Sequence, residues 1–368
     1  MDDDESHRVP TDARRGRGAA TNASGRFEAR TLAAVDDGWG IDPARPLRTE
    51  VSMEAARSII TRNTSPDVPF DRSINPYRGC EHGCVYCFAR PTHAFLGLSP
   101  GLDFETRLFA KPNAATLLRT ELAKPRYTPA TIAIGTNTDP YQPIEKRLGL
   151  MRSVLEVLSE TRHPVGIVTK GALVTRDLDI LGEMGRAGLA HVGVSLTTLD
   201  PVLTRAMEPR AASPARRLAA IRVLSQVGCP VRVMVAPIIP GLTDHEIEPI
   251  LTAARDAGAS AASWVALRLP LEVAGLFRDW LAEARPRRAK RVMGRVRELY
   301  GGRDYDPAWG KRMRGEGVHA DLIARRFDVA KKRLGLDTPL TPLRTDLFRR
   351  PGAGPEQLSL FGSEKQSD

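Results

Sequence analysis

The feature that most constrains the fold is a regular alternation of short apolar runs and amphipathic stretches from residue 70 to residue 270. The runs are rich in β-branched residues, which favour strands, and most of the amphipathic stretches finish at a glycine, a usual helix stop. Strand and helix alternating about six times predicts parallel strands joined by right-handed crossovers. An incomplete barrel and a doubly wound sheet both satisfy this pattern, and both bind ligands at the carboxyl ends of their strands. The clearest runs are ATIAIGT (130–136), PVGIVTK (164–170), HVGVSLTT (191–198), PVRVMVAPII (230–239) and ASWVALRL (262–269).

Composition divides the chain into four parts. Residues 1–45 are rich in Gly, Ala, Arg and Asp without an apolar period, which predicts a largely disordered N-terminal arm. Residues 46–270 hold the alternating core and its lead-in. Residues 271–345 predict a basic helical extension, and residues 346–368 a flexible tail rich in Pro and Gly.

The overall composition is that of an ordinary globular protein, with 42% hydrophobic and 27% charged residues. The chain contains no run of 18 apolar residues, and its first residues, MDDDESHRVP, lack a secretory pattern. We therefore expect a cytoplasmic protein with no membrane partner.

The positive charge is concentrated near the C-terminus. Residues 281–350 contain 19 Lys and Arg against nine Asp and Glu, an excess that equals the net charge of +10 of the whole chain. A solvated helical face explains such a run, and so does a surface that neutralises the phosphates of nucleic acid. Charge alone does not choose between these explanations.

Three of the four cysteines form the motif CEHGCVYC, in which Cys80, Cys84 and Cys87 have the spacing C-x3-C-x2-C. Three thiolate ligands leave one coordination position unfilled on the metal ion or metal cluster that they bind. Zinc would need a fourth ligand, for which His82 or His93 is available, whereas a 4Fe–4S cluster held by three cysteines exposes one iron to an outside ligand. The fourth cysteine, Cys229, stands at a predicted helix-to-strand corner and is interpreted as a small buried side chain.

The cysteine motif, with the aromatic Tyr86 directly before the third cysteine, resembles the signature of the radical S-adenosylmethionine (SAM) superfamily. The resemblance implies an α/β fold with a partial (β/α)6 TIM-like barrel, a 4Fe–4S cluster and SAM bound to its open iron. It also implies an external electron donor, because reductive cleavage of SAM to a 5′-deoxyadenosyl radical consumes an electron. Tyr86 would lie against the adenine of the cofactor.

Polar residues follow the predicted strands, and the resemblance gives them a role in binding SAM. Thr136 ends the first clear run, and Asn137, Thr138 and Asp139 follow it. These residues would receive the amino group of the methionine moiety, although a helix cap also explains Thr138 or Asp139. Lys170 ends the next run, where an ordinary surface lysine is an equal alternative. Further candidates are Ser195 and Thr197, on one face of a strand, and Arg210, which could neutralise the SAM carboxylate.

A longer stretch, from NPYRGCEHGCVYCFARPTH to GTNTDPYQPIE, resembles bacterial radical SAM proteins that are similar to spore photoproduct lyase, a DNA-repair enzyme. This resemblance favours nucleic acid as the substrate. It supports the radical chemistry more than the reversal of a thymine dimer, which is the reaction of that lyase. The lyase relies on a further cysteine as hydrogen donor, and the one cysteine outside the cluster here, Cys229, lies outside the expected region.

The segment QLSLF near the C-terminus resembles the short peptide by which bacterial repair and replication proteins bind the DNA sliding clamp. Leu360 and Phe361 would fill a pocket on that partner, next to Leu358, while Gln357 fixes the orientation. Docking of the tail on its own domain is the alternative.

Three functions remain open from the sequence. The first is a radical SAM enzyme acting on nucleic acid, in DNA repair or base modification. The second keeps the radical chemistry but takes RNA, a peptide or a small metabolite. The third is a non-catalytic, metal-stapled protein that binds nucleic acid.

Overall fold

The fold is built on an open seven-stranded sheet with the strand order β10-β9-β8-β7-β6-β3-β2. The computed structural model describes residues 8–28 and 46–352. Six strands of this sheet run parallel to one another, namely β3, β6, β7, β8, β9 and β10. The seventh, β2, is antiparallel to its neighbour β3. A second, three-stranded sheet has the order β1-β5-β4. The strands are β1 (Glu50–Met53), β2 (Ile60–Arg62), β3 (Arg72–Ile74), β4 (Tyr77–Arg78), β5 (Arg107–Ala110), β6 (Ile132–Ile134), β7 (Val165–Thr169), β8 (Ala190–Ser195), β9 (Val231–Ile238) and β10 (Ala261–Ala266).

Helices connect consecutive parallel strands, as the alternation predicts. The α-helices are α1 (Asp103–Thr106), α2 (Ala114–Leu122), α3 (Glu145–Leu148), α4 (Leu150–Glu160), α5 (Leu178–Arg186), α6 (Pro201–Met207), α7 (Pro214–Gln226), α8 (Ile247–Asp256), α9 (Glu272–Ala284), α10 (Pro286–Leu299) and α11 (Val318–Arg333). Short 3-10 helices cover Arg90–Leu96, Ala172–Asp177 and Asp244–Glu246. The amphipathic stretch 145–162 forms two helices because Gly149, at a φ of 66°, interrupts it. The six parallel strands confirm the predicted α/β fold, and the sheet is not closed into a full barrel.

The main core lies between the strands and the helices that pack on them. Leu155 of α4, Leu181 of α5 and Ile221 of α7 are fully buried and belong to the same cluster as Ile167 and Val192 of the central strands. Burying apolar surface of this kind is worth about 25 cal/mol per Å². The helices thereby hold the central strands in place and fix the positions of the strand ends.

The described part of the N-terminal arm, residues 8–28, is packed against the domain rather than disordered. Ala19 and Ala20 are buried, and Arg17, although charged, is only 7% exposed. Its guanidinium donates to the carbonyls of Glu105 and Leu47 at 2.9 and 3.0 Å. This segment of small and polar residues is therefore ordered, because the Arg17 guanidinium is hydrogen-bonded to carbonyls of the domain. The composition of the segment does not reveal these contacts.

The start of the C-terminal tail also packs on the domain. Phe348 places its ring edge-on to His163, with 5.4 Å between ring centroids, and the Arg349 amide donates to the Thr161 carbonyl. The QLSLF segment, 357–361, lies outside the described residues. None of the described helices is long and apolar enough to cross a membrane.

Candidate active site

A cavity of about 830 Å³ opens at the carboxyl ends of the parallel strands. All six parallel strands supply residues to its wall at or just beyond these ends. The predicted residues that line it are Cys80, Cys84, Tyr86, Cys87, Thr136, Asn137, Thr138, Asp139, Lys170 and Ser195. The fold therefore gathers into one cavity residues that lie 115 positions apart in the chain.

The three cysteines stand on a compact loop that follows β4. Its turns are closed by backbone hydrogen bonds from Gly83 to Cys80 and from Cys87 to Cys84, at 3.3 and 3.1 Å. Gly83 has a φ of 66°, and a Cβ added there would lie 2.6 Å from a carboxylate oxygen of Glu105. Glycine is therefore required at this turn for both its conformation and its size.

A buried ion pair supports this loop from behind. Glu105 and Arg90 have fully buried side chains, and the Arg90 Nη2 atom lies 2.5 Å from the Glu105 carboxylate. Glu105 also accepts the amides of Gly18 and Ala19, at 2.8 and 2.9 Å, and Arg90 donates to the Cys84 carbonyl at 3.0 Å. The N-terminal arm thus participates in fixing the cysteine loop, a role that no sequence motif predicts.

The three thiols are free and lie close enough to influence one another. Burial raises the pKa of each, and for Cys80 the neighbouring Asp139, Cys84 and Cys87 raise the pKa further. Metal binding at such thiols must release their protons.

The cysteine cluster fits a multinuclear iron–sulfur group. A single zinc ion needs every donor within about 2.3 Å, whereas the thiolates of an iron–sulfur cluster bind different iron atoms. Cys80, Cys84 and Cys87 line one cavity, where each thiolate could bind a different iron atom of such a cluster.

Asp139 organises the end of β6. One carboxylate oxygen accepts the Thr169 hydroxyl at 2.6 Å, and the other accepts the Lys170 amide at 2.7 Å and lies 3.3 Å from Nδ1 of His82. Burial alone would raise the pKa of Asp139, but His82 and these donors lower it. Both oxygens are occupied within the protein, so Asp139 positions the wall of the cavity.

Lys170 connects the ends of three neighbouring strands. Its Nζ atom lies 2.6 Å from the Ser195 hydroxyl, 3.5 Å from that of Thr197 and 3.1 Å from the Ala236 carbonyl. It also lies 5.7 Å from the centre of the Tyr86 ring, within cation–π distance. Ser195 and Thr197 therefore face the same way, as predicted, and Lys170 is an organised part of the cavity rather than a solvated surface lysine.

Sequence reasoning missed Glu208, the buried carboxylate beneath these residues. Glu208 accepts the Tyr86 hydroxyl and pairs with the buried Arg217, while the Thr197 hydroxyl lies 2.7 Å away and Lys170 Nζ 3.6 Å away. Burial alone would raise the pKa of Glu208, yet Arg217 and Lys170 together lower it. Glu208 thus holds three of the predicted side chains in one arrangement.

Two of the predicted residues, Thr197 and Arg210, do not line the cavity, and Thr197 lies behind its wall against Glu208. Arg210 is directed elsewhere. Its Nη2 atom lies 3.2 Å from a carboxylate oxygen of Glu81, and its side chain is 36% exposed. Arg210 follows α6 beyond its last turn, which directs it toward the cysteine loop from outside. Cys229 is buried with a pKa raised by burial to about 12, and it is absent from the cavity wall, as expected for a buried core residue.

Four further cations in the cavity wall were not predicted. Arg78 lies in β4 and Lys111 directly follows β5, whereas Arg268 follows the end of β10 and Arg312 belongs to the C-terminal extension. Burial, followed by the charge of Arg78, lowers the pKa of Lys111. Among the described lining residues Asp139 is the one carboxylate, so Lys and Arg outnumber carboxylates in the wall.

Comparisons with known proteins identify the family. The family model for the radical SAM superfamily matches residues 74–254. An uncharacterised protein of Mycobacterium tuberculosis is 41% identical over 286 residues, which cover 76% of this chain and 83% of that protein. The chain belongs to the radical SAM superfamily. As a radical SAM enzyme, it belongs to a group that uses SAM and an iron–sulfur cluster, in agreement with the cysteine motif. An uncharacterised protein of Methanocaldococcus jannaschii is 29% identical over 173 residues, covering 47% of this chain and 62% of that protein.

Solved structures support the radical SAM fold. A spore photoproduct lyase variant has a TM-score of 0.56 and 16% identity, covering 78% of this chain and 80% of that chain. Spore photoproduct lyase complexed with dinucleoside spore photoproduct has a TM-score of 0.52 and 16% identity, over 77% of this chain and 79% of that chain. At this identity the likeness concerns the fold alone.

Proposed function

We propose that Cys80, Cys84 and Cys87 hold a 4Fe–4S cluster in the cavity and that the enzyme uses it to act on nucleic acid. The observation that carries the proposal is that these three free thiols face one cavity at the strand ends. The loop that bears them is fixed from behind by the buried pair of Arg90 and Glu105. Three ligands leave one iron of such a cluster open.

The strand ends would hold SAM beside this open iron. When bound and reduced, the cluster supplies the electron that cleaves SAM to methionine and a 5′-deoxyadenosyl radical. Tyr86 would offer its ring to the adenine, and its hydroxyl is already oriented by Glu208. Lys170, held by Ser195 and the Ala236 carbonyl, keeps a positive charge near the thiols.

Thr136, Asn137 and Thr138 would contact the methionine moiety of SAM. Asn75 stabilises this segment, since its Oδ1 atom accepts the Asn137 amide at 3.1 Å and its Nδ2 atom donates to the Thr136 hydroxyl at 3.3 Å. The segment is thus connected to the end of β3. These side chains bind and orient the cofactor; the cofactor supplies the radical chemistry.

The cationic wall supports a nucleic-acid substrate. Four Lys and Arg residues of the wall lie outside the cysteine loop and the strand ends expected to bind SAM, and they suit an anionic molecule. The basic extension continues this character, with α10 and α11 both rich in Lys and Arg. A protein of the same fold, spore photoproduct lyase, is known in complex with a dinucleoside.

Cluster assembly tests the first part of the proposal. After anaerobic reconstitution, we expect about four iron and four sulfide per chain and an electron paramagnetic resonance signal that changes when SAM is added. Cys84→Ala is expected to lose the cluster but keep the far-ultraviolet circular dichroism of the wild type, because the strands are stabilised elsewhere. Zinc in place of iron, or unfolding of the variant, would overturn the catalytic assignment.

Two partners remain proposals. An electron donor must reduce the cluster. The segment from Gln357 to Phe361, outside the described residues, is proposed to bind the sliding clamp on the strength of its sequence. Such binding would deliver a repair or modification enzyme to DNA.

A further inference from the structure

Arg268 stands out among the four additional cations of the cavity wall. Arg78 pairs with Glu54 at 2.9 Å, Arg312 pairs with Asp67 at 2.5 Å, and Lys111 donates to the Asn75 carbonyl at 3.1 Å. Within the described residues, no carboxylate lies at ion-pair distance from Arg268. Asp67 interacts electrostatically with Arg268, but the carboxylate oxygens of Asp67 accept hydrogen bonds from Arg312 and from the Gly310 amide.

Most of the hydrogen-bonding capacity of Arg268 is unused. A guanidinium has five N–H donors, yet the buried Nε atom of Arg268 has no partner. Nη1 lies 3.4 Å from the sulfur of Met313, a weak acceptor, and Nη2 lies 3.5 Å from the hydroxyl of Tyr305. Burying an unpaired donor is unfavourable, and the two Nη atoms make only these long contacts. An oxyanion in the cavity would offer the Nη atoms a stronger acceptor.

The guanidinium is also held in a defined orientation. Its central carbon lies 4.6 Å from the centre of the Phe88 ring, at the short end of cation–π distances. Phe88 directly follows Cys87 and is 45% exposed toward the cavity. A planar group fixed in this way presents its N–H edge for bidentate binding of an oxyanion.

The neighbours of Arg268 belong to the basic extension. The carbonyl of Met313 accepts a hydrogen bond from the amide of Ala266, the last residue of β10. Arg312 bonds Asp67 and Ser65, which lie between β2 and β3. The extension therefore joins the two edges of the open sheet, and Arg268 lies where the cavity meets the positively charged surface.

We propose that Arg268 binds a backbone phosphate of the nucleic-acid substrate and so places the adjoining nucleotide in the cavity. This inference rests on the proposed function. A phosphodiester matches the planar donor edge, and its chain can continue over the extension, where Lys311 and the 62% exposed Trp309 follow. Arg268 follows β10 at the edge of the sheet, away from the central strand ends expected to bind SAM.

The test is a thermodynamic cycle on the reconstituted full-length protein. A fluorescein-labelled oligothymidylate of about twelve nucleotides serves as the reporter. It is displaced either by thymidylyl-(3′→5′)-thymidine or by the analogue whose single linkage is an uncharged methylphosphonate. The variants are Arg268→Gln and, as a matched control, Arg325→Gln, which removes an exposed charge of the extension outside the cavity wall.

In the wild type, we expect loss of the linkage charge to weaken binding at least about tenfold, the effect of one charge-assisted contact. In Arg268→Gln the same change is expected to alter affinity less than about twofold, and Arg325→Gln should behave as the wild type. The slope of log affinity against log salt for the oligonucleotide should fall by about one in Arg268→Gln.

Two results would overturn the role of Arg268 while leaving nucleic-acid binding in place. One is an equal methylphosphonate effect in the wild type and in Arg268→Gln. The other is a loss of SAM affinity in Arg268→Gln while the methylphosphonate effect stays as in the wild type, since Arg268 would then bind the cofactor. Failure of the wild type to bind the reporter at all would instead refute the nucleic-acid function itself.

Discussion

Replacing Glu105 by Gln tests whether a buried ion pair holds the cysteine loop. The substitution keeps the size of the side chain and removes its charge. Arg90, whose side chain is fully buried, would then lack a carboxylate partner. The amides of Gly18 and Ala19 would lose a charged acceptor.

The size of the effect follows from this geometry. Removing one partner of a buried ion pair costs about 3–5 kcal/mol, because the other charge stays buried without compensation. Glu248 and Arg326 provide a matched control, since they pair at 2.7 Å but have side chains that are 33% and 32% exposed. Glu248→Gln should therefore cost no more than about 1 kcal/mol.

The assay is urea unfolding of the apo-protein, followed by iron analysis after reconstitution. We expect Glu105→Gln to lower the free energy of unfolding by several kcal/mol more than Glu248→Gln, and to bind less iron at a temperature where it remains folded. Equal unfolding free energies and equal iron contents for the two variants would refute the view that this pair supports the loop.

Two further predictions concern regions outside the cavity. Burial lowers the pKa of His163 to about 4, below the value of about 6.5 in an unfolded chain, so its contribution is complete above pH 6.5 and is lost as the pH falls toward 4. Between pH 7 and pH 5, the free energy of unfolding should fall by about 2 kcal/mol less in His163→Gln than in the wild type. His245→Gln, at an exposed histidine, is the control, and an equal fall in His163→Gln and in the wild type would contradict this. Deleting residues 356–368 should abolish binding to the sliding clamp in a pull-down assay and leave SAM cleavage unchanged, whereas equal clamp affinity with and without the tail would exclude the QLSLF segment.

The sequence predicts the framework because its determinants are local. β7 and β8 coincide with the runs 164–170 and 191–198 to within a few residues, since alternation and glycine stops are read over short windows. The strand ends then bring Lys170 and Ser195 together without further information, because parallel strands share one carboxyl edge.

The supporting network could not be predicted because its partners are distant in sequence. Gly18 and Glu105 are 87 residues apart, and nothing near Glu105 indicates an acceptor for amides of an arm whose composition suggests disorder. The sequence favours Arg210 as a partner of the SAM carboxylate because a cation suits that group, and no motif singles out Glu208. The fold buries Glu208 beneath Tyr86 and pairs Arg210 with Glu81 instead.

The central claim is that the cysteine cluster and the strand ends together support reductive cleavage of SAM. The most direct measurement is the formation of 5′-deoxyadenosine by the reconstituted protein under anaerobic conditions with SAM and dithionite. We predict that the wild type forms it and that single Ala variants of Cys80, Cys84 and Cys87 do not. No 5′-deoxyadenosine from wild-type protein that carries a full complement of iron and sulfide would contradict the account.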